Sequence, residues 1–407
     1  MSTLFTPGAI GPLRVKNRFV RSATAECLAS NEGRVTAHYL RAYRNLAKGG
    51  VGLIIPGNYY VNVQGRAIPR IPVIDRDEVI DDLKKVVDAV HEYDVKIVAQ
   101  LNHGGRQCDP KILGETPLAP SAVRDNLNMI KPRAMMNREI EDTVADFGKG
   151  ARRMKKAGFD GVQIHAAHGY LVNEFLSGHT NRRTDQWGGS LENRMRFLVE
   201  IFKSIRLHVG PDYPILVKIN CEDYIKRGVT LSECVSVCRK LDEMGIAAIE
   251  VSGGIAERGL STIKGEIPMD LVMRNRNAIE RLLVKLMEKS LRKWARFEEG
   301  YFTPQAAEVK KHVKAPVIAV GGIRRRAMME HVLESGQADF ISLCRPFIRQ
   351  PNLVNQMQAG DGDTITCRNC NRCSLEIVVH HSPMRCYAGE QGAKKKLEDE
   401  SAQLQAE

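Results

Sequence analysis

The stretch ILVKINCEDYIKRGVTLSECVSVCRKLDEMGIAAIEVSGG at residues 215–254 decides the fold. It opens with an apolar run at residues 215–219, continues through an amphipathic segment at residues 231–244 and ends with a second apolar run at residues 248–251. Runs that stay apolar at consecutive positions are typical of strands buried on both faces. A helix between two such strands favours a parallel β–α–β unit.

The same alternation of apolar runs and amphipathic segments extends over most of the chain. Eight βα steps in succession predict a parallel (β/α)8 barrel, the TIM barrel of the α/β class. A doubly wound open sheet is the alternative, but no GxGxxG follows any run, so a dinucleotide-binding unit lacks its signature. The apolar runs are residues 19–20, 51–55, 97–101, 162–164, 215–219, 248–251, 317–320 and 340–343. The helical segments are residues 77–93, 140–157, 191–209, 231–244, 304–313 and 324–335.

Length and composition fit one large barrel with additions. The chain has 407 residues, of which 43% are hydrophobic and 27% charged, as is ordinary for a globular protein. We expect a barrel at residues 1–360 with an insertion at 258–302 between the sixth and seventh strands. A four-cysteine segment at 361–390 and a charged tail at 391–407 follow. Insertions on this side of a barrel lie over the active site.

The N-terminal residues do not have the pattern of a targeting signal. Residues 1–11 contain no basic cluster followed by an apolar run. No apolar stretch of the sequence approaches the roughly 18 residues that a membrane span needs. We therefore expect a cytoplasmic protein without a membrane span.

The net charge of +12 makes nucleic acid a partner to consider. Residues 274–296 alone contain eight Lys or Arg residues against two Glu residues. The aromatic residues on which single strands stack are not interleaved with them. We therefore expect no nucleic-acid partner. The segment indicates a solvated helix face, or else a docking surface for an acidic partner or a phosphorylated substrate.

Polar residues stand directly after each apolar run. In a parallel barrel the carboxyl ends of all strands meet at one rim, which is where such folds place their active sites. Amide, imidazole, lysine, arginine and paired glycine groups converging there indicate a polar ligand that carries a phosphate. These rim positions are residues 22–24, 57–58, 100–103, 165–168, 218, 252–254, 321–322 and 344–345.

Five motifs on and near this rim resemble the old yellow enzyme family. They are KNRFVRSAT at 16–24, QLNHGGR at 100–106, IHAAHGYLVNEFLS at 164–177, NRRTDQWGGSLENRMRF at 181–197 and AVGGI at 319–323. The resemblance extends in order from about residue 6 to residue 387. Four cysteines near its end resemble those of the branch that contains 2,4-dienoyl-CoA reductase and trimethylamine dehydrogenase. The resemblance implies a flavin oxidoreductase with FMN at the mouth of the barrel.

The resemblance assigns positions of this sequence to FMN. Gln100 would hydrogen-bond the pyrimidine edge of the flavin, and Lys218 would place a positive charge near its N1–C2 carbonyl, which stabilises the anionic reduced form. Gly321, Gly322 and Arg345 would bind the phosphate through close backbone amides and a guanidinium group. The other cofactor positions are Ala23, Thr24, Ala25, Gly57, Gly254 and Cys344.

The resemblance also implies the catalytic residues. His165 and His168 would donate hydrogen bonds to the oxygen of an electron-withdrawing group on the substrate, which stabilises the enolate formed by hydride addition. Tyr170 would deliver a proton to the α-carbon, since a phenol has one proton to give. His103 is expected to support the flavin loop rather than touch substrate.

The function implied is that of an ene-reductase, in which reduced FMN gives hydride to an activated C=C bond of an enone or enoyl-CoA type of substrate. An amine dehydrogenase or demethylase that passes electrons to a carrier is the alternative. It is disfavoured by the scarcity of tryptophan and by the basic insertion. A non-enzymatic electron-transfer subunit is a third class, disfavoured by the intact His165, His168 and Tyr170 set. Ala25 departs from the family, where a Thr, Cys or His stands near flavin N5, so the redox potential is in question.

Cys367, Cys370 and Cys373 form CxxCxxC, and Cys386 follows after twelve intervening residues. This set resembles the ligands of a 4Fe–4S cluster in the branch named above. A zinc site with four cysteine ligands and a set of idle thiols are the competing interpretations.

Whether the four cysteines bind a 4Fe–4S cluster determines which donor we expect to reduce FMN. With a cluster, electrons would come from a partner such as an electron-transfer protein or an FAD- and NADH-binding subunit, since larger relatives carry such domains. Without a cluster, NAD(P)H would reduce FMN directly. We expect the protein to form a homo-oligomer.

Overall fold

A closed sheet of eight parallel strands forms the centre of the computed structural model, which describes residues 2–126, 129–274 and 276–389. Each strand pairs with the next along the chain, and the eighth pairs with the first, so the sheet has no free edge. The predicted barrel is confirmed. The strands are β1 (Phe19–Arg21), β2 (Leu53–Ile54), β3 (Lys96–Asn102), β4 (Gly161–Ala166), β5 (Ile215–Asn220), β6 (Ala248–Ser252), β7 (Val317–Val320) and β8 (Phe340–Leu343).

One helix follows each strand and covers the outside of the barrel. Their apolar faces pack on the strands because a helix with apolar residues three and four apart buries one stripe. These helices are α1 (Ala37–Lys48), α2 (Ile80–His91), α3 (Asn137–Lys156), α4 (Leu191–Val209), α5 (Leu231–Glu243), α6 (Thr303–Lys310), α7 (Arg326–Glu334) and α8 (Leu353–Ala359). The predicted bounds agree within a few residues, except that 77–93 begins with the separate 3-10 turn Asp77–Val79.

The unit that predicted the fold shows how helix ends are set by sequence. Helix α5 begins after Thr230, whose hydroxyl accepts a hydrogen bond from the backbone N–H of Glu233. The Glu233 carboxylate accepts one in return from the N–H of Thr230. This reciprocal capping satisfies two backbone donors that the helix itself leaves free. The chain then returns into β6 for parallel pairing with β5, with Lys218 level with Glu250.

A hairpin closes the amino-terminal end of the barrel. Its strands Gly8–Ile10 and Leu13–Val15 pair antiparallel. Ile10 and Val15 pack with Val20, Phe340 and other side chains from the lower ends of the strands in one buried apolar cluster. Access to the barrel interior is therefore from the carboxyl ends of the strands.

The insertion between β6 and β7 contains the 3-10 helix Ala256–Ser261, the short helix Met269–Val272 and the long helix Ala278–Ala295. It packs against the four-cysteine segment, which contains the helix Arg372–His380. Arg372 pairs with Asp270 at 2.7 Å, and Arg274 pairs with Glu376 at 2.9 Å.

The remaining elements of the described chain are short. They are the strands Tyr59–Tyr60, Leu118–Ala119 and Arg133–Ala134, the helices Pro110–Leu113, Leu171–Leu176 and Arg345–Arg349, and the 3-10 turns Thr3–Phe5, Val63–Gly65 and Gly105–Gln107. Among the described residues, no helix is both long enough and apolar enough to cross a membrane. The predicted charged tail at 391–407 lies outside the described residues.

Candidate active site

The loops after β1 and β2 meet over the end of β3. Thr24 and Gly57 form an isolated antiparallel β-bridge, and the backbone N–H of Gly57 donates a hydrogen bond to the carboxylate of Glu26 at 3.1 Å. Gly57 has a φ of 145°, and a Cβ there would lie 2.9 Å from the Cβ of Gln100. Only glycine allows this approach, because any side chain would collide with Gln100. Ala23, Thr24 and Ala25 are half-buried beside this junction.

A chain of hydrogen bonds runs from Gln100 into the barrel. The Gln100 Nε2 group donates to Gln163 Oε1 at 2.8 Å, and Gln163 Nε2 donates to Glu250 Oε2 at 3.0 Å. Gln100 and Gln163 stand level on the paired strands β3 and β4, which brings their side chains together. All three are buried, and Glu250 has no exposed surface. The amide of Gln100 is thereby fixed in one orientation at the mouth.

Lys218 is held at the same level by a buried counter-charge. Its Nζ lies 3.2 Å from Glu250 Oε2 and donates to Ser22 Oγ at 2.8 Å. Ser22 and Ser342 each donate to Glu250 Oε1 at 2.8 Å. A buried charge is tolerated where a partner and hydrogen bonds offset its lost hydration. The rim therefore carries a fixed lysine charge that has donors to spare.

His165, His168 and Tyr170 lie together at the end of β4. The His165 ring centroid is 5.1 Å from that of His168 and 5.0 Å from that of Tyr170, both with edge-to-face packing. The His168 Nε2 atom is 2.8 Å from Ser252 Oγ, and its backbone N–H donates to Asn220 Oδ1 at 3.1 Å. His168 has a positive φ of 64°, a backbone conformation that is uncommon for residues other than glycine.

Burial sets the protonation of all three groups. It lowers the pKa of His165 well below its ordinary value, and the neighbouring His168 and the positive charge of Lys218 act in the same direction. Burial and Lys218 together lower the pKa of His168 to about 3. Burial raises the pKa of Tyr170 to about 12, although the amide of Asn58 opposes that shift. At neutral pH the site thus presents two neutral imidazoles and a protonated phenol.

His103 supports the loop that follows β3. It is fully buried, and its Nδ1 accepts a hydrogen bond from the backbone N–H of Gly105 at 3.1 Å. The backbone N–H of Leu171 donates to the His103 carbonyl at 3.1 Å. These contacts hold the loop that follows β3, while the Nε2 atom of His103 is buried without a hydrogen-bond partner among the described residues.

The loops after β7 and β8 form the opposite side of the mouth. Gly321 and Gly322 both have positive φ values, 123° and 72°, which brings their backbone close to the insertion. A Cβ at Gly322 would lie 2.6 Å from the ring of Tyr301 and 2.9 Å from that of Phe297. Gly254, at the end of β6, has a φ of 83° and lies against Ser261. Cys344 is half-buried.

Arg345 is engaged with the protein more fully than the sequence indicates. Its Nη1 donates to the carbonyl of Lys264 at 3.1 Å and to the side-chain oxygen of Asn371, and its Nη2 lies 3.5 Å from the Tyr301 hydroxyl. The guanidinium therefore ties the insertion to the four-cysteine segment. A phosphate contact from Arg345 would use the donors that these bonds leave free.

Cys367, Cys370, Cys373 and Cys386 line one small cavity together with Arg345 and Arg349. The donor chemistry is that of a thiolate-ligated centre. Among residues 2–126, 129–274 and 276–389, however, no group of three or more His, Cys, Asp or Glu side chains is arranged to hold a metal ion. Arg349 Nη1 instead donates to Cys386 Sγ at 3.4 Å.

The structure adds residues that the sequence interpretation did not single out. Gln163, Glu250 and Ser342 form the polar interior below the rim, and Glu26 is buried beneath Gly57 with its pKa raised to about 7 by burial. Glu250 and Gln163 are polar residues inside otherwise apolar strands. A buried polar residue on an inward-facing strand position indicates a partner inside the barrel, and that signal was available in the sequence.

A family model described as NADH:flavin oxidoreductase / NADH oxidase matches residues 3–258 and 269–363. The chain belongs to this family. This is a family of flavin oxidoreductases, and the resemblance of the chain to old yellow enzymes is confirmed.

Individual relatives support the family assignment. The chain is 35% identical over 402 residues to an NADH oxidase of Thermoanaerobacter brockii, covering 97% of this chain and 57% of that protein. It is 35% identical over 351 residues to an NADPH dehydrogenase of Geobacillus sp. (strain WCH70), covering 86% and 91%. A solved 2-naphthoyl-CoA reductase in complex with 2-naphthoyl-CoA superposes with a TM-score of 0.83 at 28% identity, covering 94% of this chain and 56% of that one. The chain thus spans little more than half of the first and third of these proteins.

Proposed function

We propose that the protein is an FMN-dependent ene-reductase that adds hydrogen across an activated C=C bond of an enone or enoyl-CoA type of substrate. The observation that carries this proposal is the close packing of the buried His165 with the half-buried His168 and Tyr170 at the mouth of the barrel. When bound and reduced, FMN supplies the hydride.

The two imidazoles would bind the substrate carbonyl. Because both pKa values are lowered, each ring is neutral and has one N–H to donate. His165 Nδ1 is buried and has no hydrogen-bond partner among the described residues, so it is free to meet a ligand. Two fixed donors at a carbonyl oxygen stabilise the negative charge that develops there when hydride arrives at the β-carbon.

Tyr170 would complete the reaction by giving its proton to the α-carbon. The hydroxyl is protonated at neutral pH and lies on the same side of the mouth as the two imidazoles. One hydride and one proton then convert the C=C bond to a saturated CH–CH bond. The transferred proton is restored to Tyr170 from solvent.

The residues at the mouth fit FMN. Gln100 offers a buried amide held in place by Gln163, as a flavin pyrimidine edge requires, and Lys218 offers a positive charge at the same level. Gly321 is buried and Gly322 half-buried beneath the ring of Tyr301, and at this pair, which lacks side chains, backbone amides can approach a phosphate. The further positions that we propose for the cofactor are Ala23, Thr24, Ala25, Gly57, Gly254 and Cys344.

Electrons would reach the flavin from NAD(P)H or through a 4Fe–4S cluster held by Cys367, Cys370, Cys373 and Cys386. What supports the cluster is the shared cavity of four thiols next to the barrel mouth. We propose that residues 1–360 form the barrel domain with its insertion and that residues 361–390 form the four-cysteine segment.

The proposal is tested by purifying the protein, releasing its flavin by denaturation and identifying it, and then following anaerobic flavin reoxidation by enones, enoyl-CoAs and methylated amines. We expect FMN and reoxidation by the unsaturated carbonyl compounds. His165→Ala should slow this step on the order of 10²–10³-fold while FMN stays bound. A colourless protein that cannot be reconstituted with FMN would overturn the assignment, and so would amines as the only reactive compounds.

A further inference from the structure

A cavity of about 340 Å³ opens between the insertion and the four-cysteine segment. The end of the insertion contributes Arg292, Arg296 and Phe297, and the cysteine segment contributes Arg368 and Asn369. One water needs only about 30 Å³, whereas pockets for organic ligands measure roughly 300–1,000 Å³. The cavity therefore has the size of an organic ligand rather than of a single ion.

The wall of the cavity is positively charged. It contains three arginines and one carboxylate, that of Glu266. Arg368 has no hydrogen bond or ion pair within the described part of the chain. Arg296 has only a 3.6 Å contact with Glu298, and its side chain is 81% exposed. Arg292 pairs with Glu288 and keeps further donors. Two of the three guanidinium groups are therefore available to an anion.

Asn369 adds a buried donor to this wall. The residue is 4% exposed, and its Nδ2 group has no hydrogen-bond partner among the described residues. Its Oδ1 accepts a weak bond from Cys367 Sγ at 3.7 Å, so the amide is oriented with its oxygen toward that thiol. A buried N–H group without a partner destabilises the folded protein, because its lost hydration is not replaced. A ligand oxygen in the cavity would remove that destabilisation.

The cavity is built largely from sequence outside the family model. Five of its nine lining residues fall outside the matched ranges 3–258 and 269–363. It nevertheless adjoins the barrel mouth, because Phe297 lines the cavity and also contacts Gly322. A ligand could therefore reach from this cavity toward the rim.

From these observations we propose that the cavity binds the phosphate-bearing end of an organic ligand whose other end enters the barrel mouth. Guanidinium groups pair with phosphate oxygens through two parallel hydrogen bonds, and the Asn369 amide would donate a further one. A CoA thioester and a nicotinamide dinucleotide share this chemistry. The inference rests on the proposed function and deepens it, because it names where the phosphate-bearing end of the substrate or reductant binds. Binding is nevertheless measurable without turnover.

The test is calorimetric titration of the FMN-loaded protein with coenzyme A, NADP⁺ and adenosine. Adenosine lacks phosphate and should not bind. Arg368→Gln should weaken binding of the phosphate compound about 10-fold, which is the loss of one charge-assisted contact. Asn369→Asp should weaken it further, because it keeps the shape but turns a carboxylate toward the phosphate. Arg281→Gln is the matched control, since it removes the same charge from the insertion helix outside the cavity.

The two sources are told apart by which compound shows the effect. Tighter binding of coenzyme A assigns the cavity to the substrate, and tighter binding of NADP⁺ assigns it to the reductant. Retained flavin in each variant shows that the fold is intact. The proposal is overturned if neither compound binds, or if both bind equally well to Arg368→Gln, Asn369→Asp and the unaltered protein. Either result leaves the ene-reductase assignment standing, because that assignment is tested by flavin reoxidation.

Discussion

At the scale of single residues, Glu250 has the greatest influence on the interior of the barrel. Its carboxylate accepts hydrogen bonds from Ser22, Ser342 and Gln163 and lies beside Lys218. Four groups from four separate parts of the chain thus meet on one side chain. The position of Lys218 and, through Gln163, that of Gln100 depend on it.

We predict that Glu250→Ala lowers the free energy of unfolding by about 3–5 kcal/mol, because it leaves Lys218 as a buried charge without its partner. Urea titration followed by circular dichroism measures the change. Ser342→Ala is the matched control, since it removes one neutral donor to the same carboxylate and should cost only about 1 kcal/mol. Equal losses for the two variants would show that the charge pair is not what stabilises this interior.

The histidines give a prediction about pH. The pKa of His168 is about 3, below its ordinary value, so the ring stays neutral as pH falls from 8 to 6, and Tyr170 keeps its proton until pH nears 12. The rate of substrate-driven flavin reoxidation should therefore be flat between about pH 6 and pH 9. Stopped-flow measurement in constant-ionic-strength buffers checks this. Because the pKa of the nearby Glu26 is raised to about 7 by burial, the same profile is measured for Glu26→Gln. A rate that still follows a group titrating near the ordinary histidine pKa of about 6.5 in that variant would contradict the neutral-imidazole assignment.

The lowered pKa of His168 also makes the stability of the folded protein depend on pH. In the unfolded chain a histidine takes up its proton below about pH 6.5, whereas in the folded chain His168 takes it up only near pH 3. The unfolded state thus binds more protons between these values, and stability falls as pH is lowered through this window. His168→Asn, which cannot be protonated, should flatten that part of the profile.

At the scale of elements, the sequence predicted the eight strands and their helices because burial on both faces leaves a continuous apolar run. Residues 215–219 and 248–251 are within one residue of strands β5 and β6. The strand β2 contains only Leu53 and Ile54 of the run at 51–55, although every residue of that run is buried. Clustering of the rim residues followed directly from parallel topology.

Contacts between distant loops could not be predicted in this way. Arg345 bonds to the carbonyl of Lys264, 81 residues earlier, and to the side chain of Asn371, 26 residues later. No local pattern encodes such a pair, since both partners lie in irregular segments. The sequence could therefore assign Arg345 to a phosphate by family position but could not show that it also joins two elements.

We predict that Arg345→Ala has two effects of different origin. Release of the insertion should speed amide hydrogen exchange around residues 263–265 and 369–371, because the guanidinium no longer bridges them. Retention of FMN should weaken only by the worth of a charge-assisted contact, roughly 1.5–3 kcal/mol, if a phosphate uses the remaining donors. Exchange mass spectrometry and flavin titration separate the two.

Arg326→Ala serves as the control for this pair of measurements. It removes an arginine that pairs with Glu330 within the outer helix α7. Faster exchange in the Arg345 variant with unchanged flavin affinity would restrict Arg345 to joining the insertion and the cysteine segment, and would remove it from the cofactor positions.

At the scale of the whole molecule, the chain combines a complete barrel with a thiol segment that lies against its mouth. An NADH oxidase and a 2-naphthoyl-CoA reductase are among the relatives of which the chain covers little more than half. The Geobacillus NADPH dehydrogenase, by contrast, is matched over 91% of its length. Because both kinds of relative belong with the barrel family, the barrel alone does not determine which donor reduces the flavin. We therefore test the donor through the four cysteines of this chain.

We predict that anaerobically purified protein contains about four iron atoms per chain, bound by Cys367, Cys370, Cys373 and Cys386. Cys370→Ser should lose the iron, because three thiolates hold a four-iron cluster poorly. It should also stop reduction of the flavin by a ferredoxin-type donor while leaving photochemical reduction intact, since the barrel residues are untouched. Cys234→Ser, which alters a buried thiol of helix α5 far from this segment, is the matched control. Stoichiometric zinc in place of iron would show that the four cysteines form a structural zinc site rather than an electron-transfer centre. Neither metal, together with full NADPH-driven turnover, would show that the thiols are idle and that the nicotinamide reduces the flavin directly.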